Sequence, residues 1–125
     1  MNNYGKWKFG TDNDKLVDLV LKGEKKATTS LYEEYILEEE ELPKVGDRSI
    51  ILFDDGRDAC LIENVEVIIT EFKNITADLA FIEGEGDKSL EYYRNEHIRI
   101  FKNIDTNFSD SSKVVFEVFK VIEKF

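Results

Sequence analysis

Residues 23–30 read Gly-Glu-Lys-Lys-Ala-Thr-Thr-Ser and place Lys25 three positions before Thr28, directly after an apolar stretch. A threonine hydroxyl is a poor nucleophile at neutral pH. A lysine whose pKa is lowered by burial or by a second cation, here Lys26, could take its proton. The alternative is a polar helix exit whose lysines face water. A second group lies at 83–87, Glu-Gly-Glu-Gly-Asp, where Glu83, Glu85 and Asp87 fall within five residues. Glycines let a backbone turn sharply and approach a ligand, so a carboxylate here could act as a general acid or base. Otherwise this is an acidic loop in which Asp87 caps the next helix. His97, the single histidine, aligns with the apolar face of its helix and reads as a core or pocket-rim residue before a catalytic base. Cys60 sits in an apolar strand and reads as inert core. Trp7, between Lys6 and Lys8, could stack a base, although packing explains it as well.

The elements that must position these groups follow from pattern. A helix is expected over 12–22, capped by Thr11 or Asp12 and stopped by Gly23. The following Lys-Lys-Ala-Thr-Thr-Ser-Leu favours turn and strand. Residues 32–47 read as a short helix or exposed excursion closed by Pro43 and Gly46, with a solvated glutamate run. Strands are expected near 48–54 and 58–70 around the Asp55-Gly56 turn, with Val65, Val67 and Ile69 alternating with Glu66 and Ile68. A helix, a turn at Gly84 and Gly86, and a second helix over 88–103 come next. The second helix carries Leu90, Tyr93, His97 and Phe101 on one inward face. A final strand is expected over 114–123, with Val114, Phe116, Val118 and Ile122 on one face. Strands and helices mix without regular alternation, which favours an α+β fold with a mainly antiparallel sheet or small barrel.

Composition sets the bounds. The 125 residues fit one domain, 1–125, and 42% hydrophobic content supplies a core. One cysteine excludes an internal disulfide, and one Cys with one His excludes a Cys/His zinc site. No metal or cofactor is expected. No apolar run approaches the roughly 18–20 residues that span a bilayer, and the first ten residues hold no apolar signal core. A cytoplasmic domain without membrane contact is therefore expected. The net charge is −10, distributed as +2 over residues 1–30, −6 over 31–42 and −6 over 43–125. Such a chain repels a phosphate backbone at long range. A small ligand, or a short nucleotide segment in a local basic pocket, remains compatible.

Taken together, Leu-Lys-Gly-Glu-Lys-Lys-Ala-Thr-Thr-Ser-Leu-Tyr from residue 21, Leu-Pro-Lys-Val-Gly-Asp at 42–47, the 83–101 segment and the terminal Val-Val-Phe-Glu-Val-Phe-Lys-Val-Ile resemble the ASCH domain. Gly23, Lys25 and Thr28 meet its Gly-x-Lys-x-x-Thr pattern. The resemblance runs from about Phe9 to the end of the chain. It implies a small PUA-like β-barrel with flanking helices and an RNA-related or nucleoside-related role. Small bacterial members include amidohydrolases that deacetylate N4-acetylcytidine through a Lys, a Thr and a Glu. On this chain that set is Lys25, Thr28 and Glu85, with Glu83 as the near alternative. Lys26, Thr29, Glu83, Arg94 and His97 are expected to line the ligand. The expected partner is a small nucleoside-like molecule. An RNA-binding or ribonuclease domain is the alternative.

Overall fold

The computed structural model describes residues 4–125. In chain order the elements are β1 (Gly5–Trp7), α1 (Asn13–Leu21), β2 (Ala27–Leu31), α2 (Tyr32–Leu37), β3 (Arg48–Leu52), β4 (Asp58–Glu71), a 3-10 turn (Phe72–Asn74), α3 (Ala77–Glu83), α4 (Leu90–Ile104) and β5 (Lys113–Lys124). The strands form one five-stranded half-barrel sheet in the order β1-β3-β4-β5-β2. Only β1 and β3 run parallel; the other three pairings are antiparallel. This is the α+β architecture expected, with helices flanking the sheet. No described helix is long and apolar enough to cross a membrane.

Alternate residues of β5 feed two cores. Val114 and Phe116 join Ala27, Leu31, Phe72, Tyr93, Phe101 and Phe108 under α3 and α4. Phe119 joins Phe9, Val17, Val20, Ile51, Cys60 and Ile62 under α1. Phe72 is the hub of the first cluster, with ring centroids 5.2–6.3 Å from Tyr93, Phe101 and Phe108. Cys60 is fully buried, and burial pushes its thiol up to about 11, so it behaves as core.

Local chemistry departs from the sequence reading in four places. Strand β1 was not expected; three residues give too short a pattern to read. Asp12 occupies the N-cap of α1 with φ 50° but makes no side-chain cap; the Asn13 side chain accepts the Phe9 N–H instead. Ser89, not Asp87, caps α4 by accepting the Tyr92 N–H, while Asp87, two residues earlier, accepts the Ser89 N–H. On β4 the irregularity between Asn64 and Glu66 inserts a residue. Val65, the inserted residue, and Ile69 beyond it are exposed, and Ile68 packs on the core. A one-residue offset exchanges the two faces of a strand.

Gly84 holds the loop that matters most. It ends α3 with φ 78°, and a Cβ there would lie 1.9 Å from the Glu24 carbonyl oxygen. The α3–α4 turn therefore rests on the backbone just before Lys25. Gly56 has a similar φ of 91° but open space around it. Gly84→Ala combines left-handed strain of roughly 1–2 kcal/mol with overpacking of about 1–3 kcal/mol. We expect it to lower Tm by about 10 °C or more, and Gly56→Ala to incur the strain alone. Comparable Tm losses in the two variants would contradict the close packing at Gly84.

Candidate functional site

Helix α1 stops at Gly23, whose φ of 77° suits the left-handed position after a helix end. The chain then reverses, so Lys25 points inward as β2 begins. Its side chain is 1% exposed. Nζ donates to Glu85 Oε2 at 2.7 Å, to the Ala27 carbonyl at 2.8 Å and to the Glu83 carbonyl at 3.4 Å. Glu83 Oε1 lies 4.0 Å away, and the ammonium sits over the Phe9 ring at 5.3 Å.

Glu83 is the second buried charge, also 1% exposed. Its Oε2 accepts the Thr29 hydroxyl at 2.5 Å, and Thr29 Oγ1 is in turn 3.0 Å from the Tyr93 hydroxyl. With Thr29 donating to the carboxylate, Tyr93 donates to Thr29. His97 Nε2 stands 3.1 Å from Glu83 Oε1. That oxygen accepts no hydrogen bond, so the contact is an ion pair off the hydrogen-bonding angle. His97 Nδ1 is 2.7 Å from the Tyr93 carbonyl, and the two rings stack at 4.1 Å. Nδ1 thus pairs with the Tyr93 carbonyl while Nε2 faces the Glu83 carboxylate, a charge contact that favours the protonated ring.

The electrostatics follow from these contacts. Burial pushes the Glu83 carboxyl up, but Lys25 and His97 together more than offset it and hold it well below the ordinary range. Burial pulls His97 down, and the Glu83 carboxylate overrides it, so the net shift is upward. Glu85 is pushed up by burial and by Glu83, against the pull of Lys25. Two carboxyl groups thus share one buried pocket with a lysine and a histidine, each acidic group beside a basic one. Glu83, Glu85 and His97 each present a ligand atom within 4.8 Å of the others. Lys25 Nζ stands 2.7 Å from the Glu85 and 4.0 Å from the Glu83 carboxyl oxygens of this group, so an ammonium already neighbours both acids.

Strand alternation decides where the threonines go. Thr29, with Ala27 and Leu31, faces the α3–α4 side. Thr28 faces the other way, into a cleft of about 560 Å³. Trp7, Ser30, Tyr35, Asn64 and Glu117 line that cleft with it. No described hydrogen bond joins Thr28 to Lys25 or Glu85. The link is through the backbone: the carbonyl that Lys25 holds belongs to Ala27, the residue before Thr28. A larger groove of about 670 Å³ between Leu37 and Ile104 gathers none of these groups.

The structure thus brings Lys25, Thr29, Glu83, Glu85 and His97 into one network. It sets Lys26 and Arg94 outside it. Lys26 is exposed and joins only through its backbone, to Ile82 and Phe119. Arg94 pairs with Asp110 at 3.0 Å and lies over Phe72. Tyr93 was legible only as part of an apolar stripe. Asn64 and Glu117 sat inside strand patterns as outward polar residues, and nothing in one sequence marks such a pair as facing a cleft.

A family model for the ASCH domain matches residues 5–123. Among solved structures, an ASCH domain from Lactobacillus crispatus JV V101 is similar at 32% identity and TM-score 0.88, over 95% of this chain and 79% of that one. A protein of Enterococcus faecalis V583 is similar at 30% identity and TM-score 0.88, over 100% and 84%. A mutant ASCH protein of Zymomonas mobilis, at 10% identity and TM-score 0.56 over 98% of this chain and 73% of that one, shares the fold. No curated protein matches the sequence. The half-barrel, the match over 5–123 and the two relatives agree: this chain belongs to the ASCH domain family.

Proposed function

We propose that this protein is an amidohydrolase acting on a small acylated cytosine nucleoside of the N4-acetylcytidine type, seated in the cleft that Thr28 faces. The observation that carries the reading is the double grip of Lys25. One ammonium holds Glu85 and, at the same time, the carbonyl directly before Thr28. The Gly-x-Lys-x-x-Thr segment and the acidic turn therefore act as one unit. The cleft volume lies within the ~300–1,000 Å³ of small-molecule sites. Its rim carries Glu40, Glu41 and Asp47 against the single basic Arg48, which suits an uncharged ligand better than a polyanion.

In this reading Thr28 attacks the acyl carbon. Its proton passes to water in the cleft, which returns one to the departing amino nitrogen, while the Lys25–Glu85 pair on the other face of β2 fixes the backbone from which Thr28 projects. The acyl-threonine ester is then hydrolysed by water, restoring the hydroxyl. Such an amide is resonance-stabilised, so the attacking oxygen and the leaving nitrogen both need a proton partner. Thr29 is the competing hydroxyl, because it already donates to Glu83 in the manner of a nucleophile on its base. Its position on the closed side of β2 favours Thr28 as the group a ligand meets.

Incubation with N4-acetylcytidine and chromatography for cytidine tests the assignment. Thr28→Ala should lose nearly all turnover, Thr28→Ser should keep a measurable part, and Glu85→Gln should lose about 10²–10³-fold. Retained activity in Thr28→Ala with loss in Thr29→Ala would move the nucleophile to the buried face. Equal activity in wild type and all variants would overturn the set. Binding to long RNA should be weak near physiological salt, because few phosphates can be neutralised. Sub-micromolar RNA binding with a steep salt slope, unchanged in Thr28→Ala, would replace the enzyme with a binding module.

A further inference from the structure

Thr28 does not face an empty wall. It stands in register with Glu117 of β5, so the two side chains project from neighbouring strands on one face of the sheet. Asn64 reaches Glu117 from β4: its Nδ2 donates to Glu117 Oε1 at 2.9 Å. The backbone fixes Asn64 in turn. Its N–H donates to the Asp47 carbonyl, and its own carbonyl accepts the Gly46 N–H. It also sits at the β4 irregularity, where an inserted residue re-aims the side chains around it. With Nδ2 committed, Asn64 Oδ1 and Glu117 Oε2 remain as acceptors among the cleft-lining side chains. Trp7 adds an aromatic surface whose indole N–H is tied to Ser49 Oγ at 2.9 Å, and Tyr35 adds a second ring.

We propose that Glu117, positioned by Asn64, is the base-reading group of the cleft, and that it takes a heterocycle bearing a ring nitrogen beside an exocyclic amine. This rests on the reading of the cleft as a nucleoside site. It does not depend on the hydrolysis step. A carboxyl group meets such an edge through two parallel hydrogen bonds. The exocyclic N–H donates to one oxygen, and a single proton is shared between the other oxygen and the ring nitrogen. Cytosine presents this edge. Uracil presents an N–H between two carbonyl oxygens, and those oxygens face an ionised carboxylate unfavourably. Burial, with Asp47 adding to it, pushes the Glu117 carboxyl above its ordinary range, against the opposing bond from Asn64. The shared proton is thereby easier to hold. The complex needs that proton, so affinity should be present at low pH and fall as pH rises above the Glu117 value.

Tyr35 from α2 and Asp47 from the segment before β3 interact with Glu117 electrostatically, and Glu40, Glu41 and Arg48 line the same cleft. A glutamine at 117 keeps all of them. Its amide offers one N–H and one carbonyl to the same edge, with nothing at that position to titrate.

The test is binding of cytidine, with uridine as the control, by calorimetry or NMR titration at pH 5.5 and pH 8. Wild type should bind cytidine at least tenfold more tightly at the lower pH and should prefer it to uridine. Glu117→Gln should keep cytidine binding with the pH dependence gone. Glu117→Leu, confirmed folded by its Tm, should lose about 10–100-fold, as expected for removing a paired buried acceptor. Undetectable cytidine binding by wild type overturns the proposal. So does equal binding by Glu117→Leu, or a pH dependence that persists in Glu117→Gln. If N4-acetylcytidine is not hydrolysed but cytidine binding behaves as described, the catalytic reading fails and the base-reading role stands.

Discussion

A lysine side chain with almost no solvent exposure, inserted between two glutamates, is the constraint on which this structure depends. Removing an ammonium from water costs several kcal/mol, repaid only where geometry and hydrogen bonds are complete. Lys25 meets that condition through Glu85 and two backbone carbonyls. The arrangement ties α1, the first residues of β2, the end of α3 and the acidic turn to one point. Removal of Lys25 alone would leave two buried carboxylates short of their cation, a change that commonly costs about 3–5 kcal/mol. The same cluster couples stability to pH in both directions. Glu83, held low, contributes stability that is present above the ordinary carboxylate range and lost as pH falls below it. His97, held high, contributes stability present below 6.5 and lost as pH rises through its raised value. Glu85, pushed up, opposes folding once it ionises.

Two layers of chemistry meet across one strand. On the inner face of β2, Thr29 is held by Glu83 and Tyr93. On the outer face, Thr28 and Glu117 share the cleft. The inner layer is buried; the outer layer lines an open cleft. Because Lys25 holds the peptide carbonyl before Thr28, the inner charges control the backbone from which the outer hydroxyl projects.

Much of this was legible in the sequence because local rules and the tertiary outcome agree. The Asp55-Gly56 turn, the helix stop at Gly23 and the stripe of Leu90, Tyr93, His97 and Phe101 each follow from one residue type at one spacing. Lys25 was named from its motif, and Glu85, with Glu83 as the alternative, from the resemblance to the ASCH domain; Lys25 contacts Glu85 directly at 2.7 Å and lies 4.0 Å from Glu83. Other features depend on long-range packing. Whether Thr28 or Thr29 faces Lys25 turns on strand phase, which the hydroxyls of Thr28, Thr29 and Ser30 do not reveal. The irregularity at Asn64 and Glu66 exchanges faces without a glycine to announce it. Glu117 becomes a cleft residue only because β2 and β5, some 90 positions apart in the chain, pair in this register. Arg94 pointed plausibly toward a site from its helix, yet Asp110 and Phe72 hold it elsewhere.

The central claim is that Glu83 is an ionised, buried hub between Lys25 and His97. His97 is the only histidine, so its imidazole NMR signals can be followed through a pH titration without ambiguity. The account predicts a midpoint above the ordinary value of 6.5, falling in Glu83→Gln, where the carboxylate that supports the imidazolium is gone. A midpoint at or below 6.5 in wild type, unchanged by Glu83→Gln, would contradict it.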